Sequence, residues 1–373
     1  MRKYFLSGTV LILSCLFLTG CRKEYRLFVG GFTIDEAKGL SVFDFNSRNG
    51  DLKLISESDV GPNPSYFCYS GKKKLIYVLN EVMEFNGTFG GGLTTLKYNA
   101  INGIFEKQNE ILIPYGGPCY ISMSPDSSFL FIANYPNGSV AVVKLNANGI
   151  PETITDTLVY YMDAPKPSHA HMILNDPAGE KVYVTDLGLD RIMEYNFDRN
   201  TGKLNWAGND TLFLPVGSGP RHFTFNADGS KMYLINELGS KMMVINVDKN
   251  EGLKLIQTIP TFREGFEGNN YCADIHMAKD GKYLYGSNRG ENTIVTFKVE
   301  PDGTLTLAGH TSCGGNWPRN FVIDPTGKFL LVGNQKSDSV SVFKLNKITG
   351  LPVEPAKRFK VSMPACLKFV DFK

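Results

Sequence analysis

The stretch GPRHFTFNADGSKMYLINE, residues 219–237, holds a complete hairpin and sets the pattern for the whole chain. Alternating apolar and β-branched residues predict one strand over 221–226 and a second over 231–235. The Ala-Asp-Gly between them predicts a tight two-residue turn, because glycine accepts the positive φ that such a turn requires. The stretch is therefore predicted to be an antiparallel hairpin that ends in Asn236 and Glu237.

The same frame recurs along the chain. Its other copies are NPSYFCYSGKKKLIYVLNE (63–81), GPCYISMSPDSSFLFIANY (117–135), HAHMILNDPAGEKVYVTDL (169–187), YCADIHMAKDGKYLYGSNR (271–289) and WPRNFVIDPTGKFLLVGNQ (317–335). The residues that close the second strands are 46 to 54 positions apart, and they are Asn80, Asn134, Asp186, Asn236, Asn288 and Asn334. Gly31 lies 49 positions before Asn80 and begins the series. Repeats of this length are typical of propellers and arrays.

Each repeat continues with a third strand, such as SVAVVKLN, and a looser fourth strand. Four strands per repeat form one antiparallel blade. The first unit, from Leu27 to about Ser58, lacks a first strand, whereas MPACLKFVDF (363–372) is a first strand with nothing after it. Joining the two predicts an all-β, seven-bladed β-propeller that closes by pairing its C-terminal strand with the N-terminal blade, which removes unpaired edges.

The N-terminus is predicted to direct export. Residues 1–20 have two basic residues and a short apolar run, as in a signal peptide. The ending Leu-Thr-Gly-Cys resembles the bacterial lipobox, and this implies cleavage before Cys21 and lipidation of its thiol. An ordinary signal peptide with an incidental cysteine is the alternative. We expect a lipid-anchored protein of the bacterial cell envelope, periplasmic or in the outer membrane, with residues 21–373 as one propeller domain.

Charge and cysteine content narrow the function classes further. Without Arg2 and Lys3 the mature chain has 37 basic and 37 acidic residues, which gives no indication of nucleic-acid binding. A closed propeller needs no partner to be complete, so we expect a monomer. Five further cysteines show no zinc spacing and are predicted to be buried free thiols, although export permits a disulfide; they are Cys68, Cys119, Cys272, Cys313 and Cys366.

Function is expected where the repeats differ. Aligning the repeats on their turns gives one ring with Ser65, Cys119, His171, Arg221, Ala273, Arg319 and Ala365. The residues after the second strands give another ring with Glu81, Tyr135, Leu187, Glu237, Arg289 and Gln335. Three consecutive blades thus present His171, Arg221, Glu237 and Arg289 at the same part of the channel. Because buried charges are costly unless they are paired or used, these residues are candidates for a site. The alternative is an Arg221–Glu237 ion pair that only fills the channel.

Four motifs in successive blades carry a resemblance to a known family. They are H-A-H (169–171), G-P-R-H (219–222), N-E-L (236–238) and S-N-R-G (287–290). In these motifs the chain resembles the lactonase family of seven-bladed propellers, which includes bacterial 6-phosphogluconolactonases and fungal carboxy-muconate cyclising enzymes. The resemblance covers essentially the whole mature chain. It implies a small-molecule lactone substrate and a functional cleft formed by His171, Arg221, Glu237 and Arg289.

Lactone hydrolysis suits these residue types. Water must attack an ester carbonyl while a base takes its proton and cations stabilise the oxyanion. His171 is narrowly favoured as the base because an unperturbed imidazole has a suitable pKa, and Glu237 either does this itself or orients the imidazole. Arg221 and Arg289 suit a carboxylate, a phosphate or the oxyanion.

Several neighbours are secondary candidates. His169 and His222 flank the motifs and either contact substrate or hold backbone at the channel. Arg319 is a candidate for substrate binding, and Trp317 either stacks on a sugar ring or only packs. Asp274, like Arg319, is a peripheral candidate, and His276 is expected to belong to the core or to the layer behind the site.

The sequence indicates neither a metal nor a cofactor. It contains no G-x-S-x-G motif and no glycine-rich phosphate loop, and a site with two arginines repels cations. Because a phosphorylated sugar lactone is an intracellular metabolite, the predicted export implies an unphosphorylated lactone or a changed task. Two alternatives to hydrolysis stay open, namely a non-catalytic propeller that binds a sugar acid or a protein, and a lactonising enzyme of the muconate type.

Overall fold

A computed structural model describes residues 25–34, 37–160, 166–248 and 251–371, without the side chains of residues 207–210. The predicted signal peptide and Cys21 lie outside the described residues. The described part is built of β-strands with one short 3₁₀ helix, Gln335–Ser337. It contains no helix with the length and apolar character that a membrane crossing requires. The all-β prediction is confirmed.

Seven four-stranded antiparallel sheets form the blades. Blade 1 contains β1 (Tyr25–Gly31), β2 (Gly39–Asn46) and β3 (Asp51–Asp59). Blade 2 contains β4 (Tyr66–Ser70), β5 (Leu75–Asn80), β8 (Gly91–Asn99) and β9 (Ile104–Ile113), with an inserted hairpin of β6 (Glu84–Phe85) and β7 (Thr88–Phe89). Blade 3 contains β10 (Pro118–Met123), β11 (Phe129–Asn134), β12 (Ser139–Leu145) and β13 (Pro151–Val159). Blades 4 and 5 contain β14 (Ala170–Asn175), β15 (Lys181–Asp186), β16 (Arg191–Asp198) and β17 (Lys203–Phe213); and β18 (Pro220–Phe225), β19 (Lys231–Asn236), β20 (Lys241–Asp248) and β21 (Gly252–Pro260). Blades 6 and 7 contain β22 (Tyr271–Met277), β23 (Tyr283–Arg289), β24 (Thr293–Val299) and β25 (Leu305–Ser312); and β26 (Pro318–Ile323), β27 (Phe329–Asn334), β28 (Ser339–Leu345) and β29 (Pro352–Lys360).

The C-terminal strand closes the ring as predicted. β30 (Pro364–Val370) pairs with β1, with Leu367 opposite Val29 and Phe369 opposite Leu27. It completes blade 1 as the innermost strand, in the order β3-β2-β1-β30. The innermost strands contact one another around the channel, and β30 contacts both β26 and β4. The prediction of seven blades closed by the chain ends is confirmed.

Stacking of the blades explains the hydrophobic pattern. Every residue of the second strands β11 and β27 is buried, because neighbouring blades cover both faces of these strands. The outermost strand β29 is largely exposed. The amphipathic alternation of a half-buried strand therefore applies to the outer strands, whereas the middle strands read as continuous apolar runs.

The residue that defines the repeat has a structural task. Asn80, Asn288 and Asn334 are fully buried, and their side-chain amides donate to the carbonyl oxygens of Pro62 (2.8 Å), Thr261 (2.6 Å) and Cys313 (3.2 Å). Each amide thus holds in place the segment that leads into the first strand of the same blade. We call the face where second strands end and first strands begin the upper face.

The turn of the hairpin at 219–237 is wider than predicted. β18 and β19 are joined by residues 226–230, and the amide of Gly229 donates to the carbonyl of Asn226 at 3.2 Å. Gly229 has φ +76°, as its type allows. The prediction of a two-residue turn is wrong because Asn226 Oδ1 and Asp228 Oδ1 accept the amides of Lys231 and Ser230 and stabilise the longer connection.

The five cysteines are buried and unpaired, as expected. Four of them lie in innermost strands, and these are Cys68, Cys119, Cys272 and Cys366. Cys313 follows β25 directly. Burial raises the pKa of the Cys68 thiol to about 12, so that this thiol is neutral at physiological pH.

Candidate active site

In most blades a β-bulge at the start of the innermost strand turns a side chain towards the upper end of the channel. In five blades the pairing with the neighbouring strand skips a single residue, and these residues are Cys119, His171, Arg221, Arg319 and Ala365. Blade 6 skips two residues, Ala273 and Asp274. Ser65 stands directly before β4 in blade 2. Since a bulge turns a side chain away from its regular direction, the first ring of the alignment corresponds to a real set of channel positions.

Three charged residues of blades 5 and 6 meet at this ring. Glu237 Oε2 lies 2.9 Å from Arg221 Nε and 2.7 Å from Arg289 Nη2. Arg221 Nε nevertheless has no aligned hydrogen-bond acceptor in the described structure. The cluster is therefore held by charge attraction, and Arg221 Nε can still donate an aligned hydrogen bond to a ligand oxygen.

Backbone carbonyls fix both guanidinium groups. Arg289 donates from Nε to Tyr271 O at 3.2 Å and from Nη2 to Cys272 O at 2.9 Å, and Arg221 Nη1 donates to Ala273 O. These three carbonyls belong to the start of β22. One strand end thus orients two cations towards the same carboxylate.

Burial sets the charge states of the cluster. It lowers the pKa of Arg289 to about 10, but the guanidinium keeps its proton at neutral pH. Burial alone would raise the pKa of Glu237, but the charges of Arg289 and Arg221 outweigh it and hold that pKa below its ordinary value. The cluster consequently contains two cations and one ionised carboxylate.

His171 lies beside the cluster as a neutral imidazole. Its ring is buried and makes edge contacts with Tyr135 and His222, with centroids 5.6 and 5.1 Å apart. Burial, with the charge of Arg221 in second place, lowers the pKa of His171 well below its ordinary value. Its Nδ1 atom is buried without a hydrogen-bond partner in the described structure. The unperturbed pKa expected for this residue is therefore wrong.

The secondary candidates occupy different depths. His169 stacks on Tyr135 with ring centroids 4.5 Å apart, and its Nδ1 lies 3.0 Å from the Tyr135 carbonyl. His222 lies one residue deeper than Arg221 and is almost fully buried. Arg319 places its guanidinium 5.3 Å from the ring centre of Phe32 and shares with Arg221 a cavity for about one water molecule. His169 and Arg319 thus lie near the cluster, whereas His222 supports it from below.

Trp317 is covered by cations. Arg289 lies 5.4 Å and the Lys336 ammonium 3.3 Å from the centre of its ring system. A sugar can stack on the Lys336 side only by displacing that ammonium. Trp317 also adopts φ +65°, at a position where Gly117 and Gly219 stand in other blades with φ +58° and +60°. A bulky residue in this conformation is strained, and strain of this kind collects at functional sites.

Asp274 is more central than the sequence indicated. This buried carboxylate accepts from His222 Nδ1 at 2.8 Å, from His276 Nε2 at 2.9 Å and from the amide of Asn320. Burial alone would raise its pKa, but His276 and His222 lower it far below the ordinary value. Because burial and Arg221 lower the pKa of His222 to about 4, this histidine is a neutral donor. Asp274 thus lies one layer behind Arg221, since it holds His222, the residue next to Arg221 in the chain.

Sequence reasoning also passed over Tyr135. It stands in the second ring of the alignment, stacks on His169 and lies edge-on to His171. Burial raises the pKa of its phenol, with the charge of Glu237 in second place, so its hydroxyl is a neutral donor near the carboxylate. Its place in the second ring, one blade before the H-A-H motif, was the available signal. Within the described residues, no three His, Cys, Asp or Glu side chains are arranged to hold a metal ion.

Comparison with known proteins identifies the family. The model of the lactonase family of seven-bladed β-propellers matches residues 26–369. A 6-phosphogluconolactonase of Formosa agariphila is 32% identical over 335 residues, covering 87% of this chain and 93% of its own. A 6-phosphogluconolactonase of Bacillus subtilis is 28% identical over 357 residues, covering 93% and 99%.

Among solved structures, the periplasmic gluconolactonase of Pseudomonas aeruginosa is 31% identical and superimposes with a TM-score of 0.87. The superposition covers 94% of this chain and all of the other. The chain belongs to the lactonase family of seven-bladed β-propellers.

Proposed function

We propose that this protein hydrolyses a sugar lactone to the sugar acid at the upper end of its channel. The observation that carries the proposal is the cluster of Glu237, Arg221 and Arg289 beside the unpartnered Nδ1 of His171. A binding surface for a sugar acid needs cations, but it does not need a largely buried carboxylate that offsets part of their charge. Family membership, and similarity to proteins named 6-phosphogluconolactonase and gluconolactonase, support this reaction class.

The arginines are suited to the oxyanion. Attack of water on the lactone carbonyl places negative charge on its oxygen, and fixed donors that meet this charge lower the barrier. Arg221 Nε already lacks an aligned acceptor, and Arg289 is held in place by Tyr271 O and Cys272 O. Both groups can therefore bind the carbonyl oxygen without large rearrangement.

Glu237 is the better candidate for the base. Its pKa is low in the free site because Arg289 and Arg221 stabilise the carboxylate. When the arginines bind the carbonyl oxygen instead, this stabilisation weakens and the pKa of Glu237 rises, so it can take a proton from water. The water oxygen bonds to the carbonyl carbon, the ring ester bond breaks, and the proton passes from Glu237 to the leaving ring oxygen.

His171 is better suited to orienting the water than to taking its proton. Its pKa lies well below the ordinary value, which makes the imidazole a weak base. As a neutral ring it can still accept or donate a hydrogen bond at its free Nδ1. The narrow preference for His171 as base, drawn from its residue type alone, thus gives way to Glu237.

A panel of lactones tests the proposal. Hydrolysis of gluconolactone, 6-phosphogluconolactone and other sugar lactones would be followed with the wild type and with His171→Ala and Glu237→Ala, after subtraction of spontaneous opening. We expect faster opening of at least one lactone and loss of the gain in both variants, with unchanged circular dichroism. Absence of acceleration for every lactone would contradict hydrolysis and favour a binding propeller.

A further inference from the structure

Blade 2 carries a second acidic residue at the upper face that the mechanism does not use. Glu81 occupies the ring position of Glu237, and Ser65 occupies that of Arg221. In blade 5 the acid is neutralised by arginine, whereas in blade 2 Ser65 Oγ donates to Glu81 Oε2 in a short hydrogen bond. Within the described residues, no Lys, Arg or His nitrogen lies within ion-pair distance of the Glu81 carboxylate. The Glu81 carboxylate at the channel mouth is therefore not offset by a cation of the described residues.

The ring geometry places this pair opposite the charged cluster. In a closed ring of seven, blade 2 is three blades away from blade 5 in one direction and from blade 6 in the other. Ser65 lines the same small cavity as Arg221 and Arg319. The charges also act on a shared neighbour, because after burial Glu81 contributes most to the raised pKa of Cys119 and Arg221 opposes it. The two acids thus face one channel mouth from opposite walls.

The opposite walls suit the two ends of a polyhydroxy lactone. The lactone carbonyl needs the cations of blades 5 and 6, and this leaves the hydroxyl-bearing end of the ring on the side of blade 2. A carboxylate accepts hydrogen bonds from neighbouring hydroxyls, and Ser65 Oγ, which donates its proton to Glu81, can accept another. A phosphate on that end would bring two or more negative oxygens against the carboxylate, which disfavours binding.

We propose that Ser65 and Glu81 bind the hydroxyls of the substrate and select an unphosphorylated sugar lactone against its phosphate ester. This rests on the proposed lactone hydrolysis at the same site. Arg319 and Lys336 are cations on the same face that a phosphate could use instead, and the experiment must distinguish the two possibilities.

The test compares two substrates and two matched variants of the full-length protein in mild detergent. We expect wild-type kcat/KM to be about tenfold or more higher for gluconolactone than for 6-phosphogluconolactone. Glu81→Gln should raise KM for gluconolactone by about fivefold with little change in kcat, and should narrow the preference because the repulsion is gone. Ser65→Ala should also raise KM for gluconolactone. It should leave the preference for gluconolactone over 6-phosphogluconolactone unchanged, because it does not alter the charge of the site. Glu84→Gln, on the exposed inserted hairpin, is the control and should change neither value.

The outcomes separate the two proposals. If the wild type opens lactones but prefers the phosphate ester, or if Glu81→Gln leaves both KM and the preference unchanged, the selection by Glu81 is wrong while hydrolysis stands. If no lactone is opened faster than the blank, the hydrolysis and the selection fail together.

Discussion

At the scale of single residues, charge at the site is balanced by a few side chains. Glu237 offsets Arg221 and Arg289, and Asp274 accepts the hydrogen bonds that position His222 below them. Burial of these groups is costly unless their hydrogen bonds and charges are matched. A substitution at any of these residues that keeps the volume of the side chain but changes its charge or hydrogen bonds should therefore still lower activity.

Arg289→Lys tests the geometry of the guanidinium. Lysine keeps the charge, but its single ammonium cannot satisfy Tyr271 O, Cys272 O and Glu237 with the same fixed fork. We expect kcat/KM for the best lactone to fall by about tenfold to a hundredfold. Arg263→Lys, whose guanidinium is largely exposed beside Glu291, is the control. A change of less than about twofold in Arg289→Lys would show that only charge matters.

The pH profile tests the charge states. The proposed mechanism requires ionised Glu237 and neutral His171, and the pKa values of both groups lie below their ordinary values of 4.5 and 6.5. kcat/KM should therefore be constant between about pH 6 and 8, and it should fall as the pH rises through about 10, where Arg289 loses its proton. Initial rates corrected for spontaneous opening would show this. An acid limb centred near 6.5 would indicate an unperturbed catalytic histidine.

At the scale of strands and turns, tyrosines of the second strands join neighbouring blades. The hydroxyls of Tyr77, Tyr233 and Tyr285 donate to the carbonyls of Gly149, Gly303 and Gly350 in the following blade, at 2.7, 3.0 and 2.8 Å. These glycines have positive φ in the turn between the third and fourth strands. Each of these hydrogen bonds therefore joins the second strand of one blade to a turn of the next blade.

Tyr285→Phe measures this link. The variant removes one buried hydroxyl and leaves Gly350 O without its donor, so the free energy of unfolding should fall by about 1 to 2 kcal/mol. Denaturant midpoints at constant m-value would report it. Tyr283→Phe, which loses a solvent-exposed bond to Ile348 O, should cost clearly less. Both bonds join blade 6 to blade 7, so equal losses in the two variants would contradict the expectation that burial makes the Tyr285 bond the stronger contact.

Much at this scale could be predicted from sequence, and some could not. The positions of Asn80 to Asn334 revealed the repeat because a side chain that holds the connection into its own blade recurs in most blades. The bulges were invisible, since an extra unpaired residue leaves the hydrophobic pattern almost unchanged. Aligned ring positions thus identified Arg221 and Glu237. The burial that lowers the pKa of His171 depends on how the blades pack, and the sequence does not show it.

At the scale of the whole molecule, the ring is closed by its two ends, and we expect it to unfold as a single cooperative unit. Leu367 of β30 is almost fully buried, and its amide donates to Asn320 Oδ1 at 2.6 Å, next to Asp274. The closing strand therefore supports the floor of the site as well as the edge of blade 1. Loss of closure should affect stability and site together.

Leu367→Ala tests the cooperativity. Truncation of a buried leucine should lower the free energy of unfolding by about 2 to 4 kcal/mol, and unfolding should still be one transition followed equally by fluorescence and circular dichroism. Leu307→Ala, at a half-exposed position of β25, is the control and should cost much less. Two separate transitions in Leu367→Ala would show that the blades unfold independently.

The most direct test of the central claim is kcat/KM of Glu237→Gln for the lactone that the wild type opens fastest. The amide keeps the shape of the side chain but can neither take a proton nor neutralise Arg221 and Arg289. We expect a loss of about a hundredfold or more with an unchanged circular dichroism spectrum. Activity within about threefold of the wild type would contradict a catalytic role for the cluster.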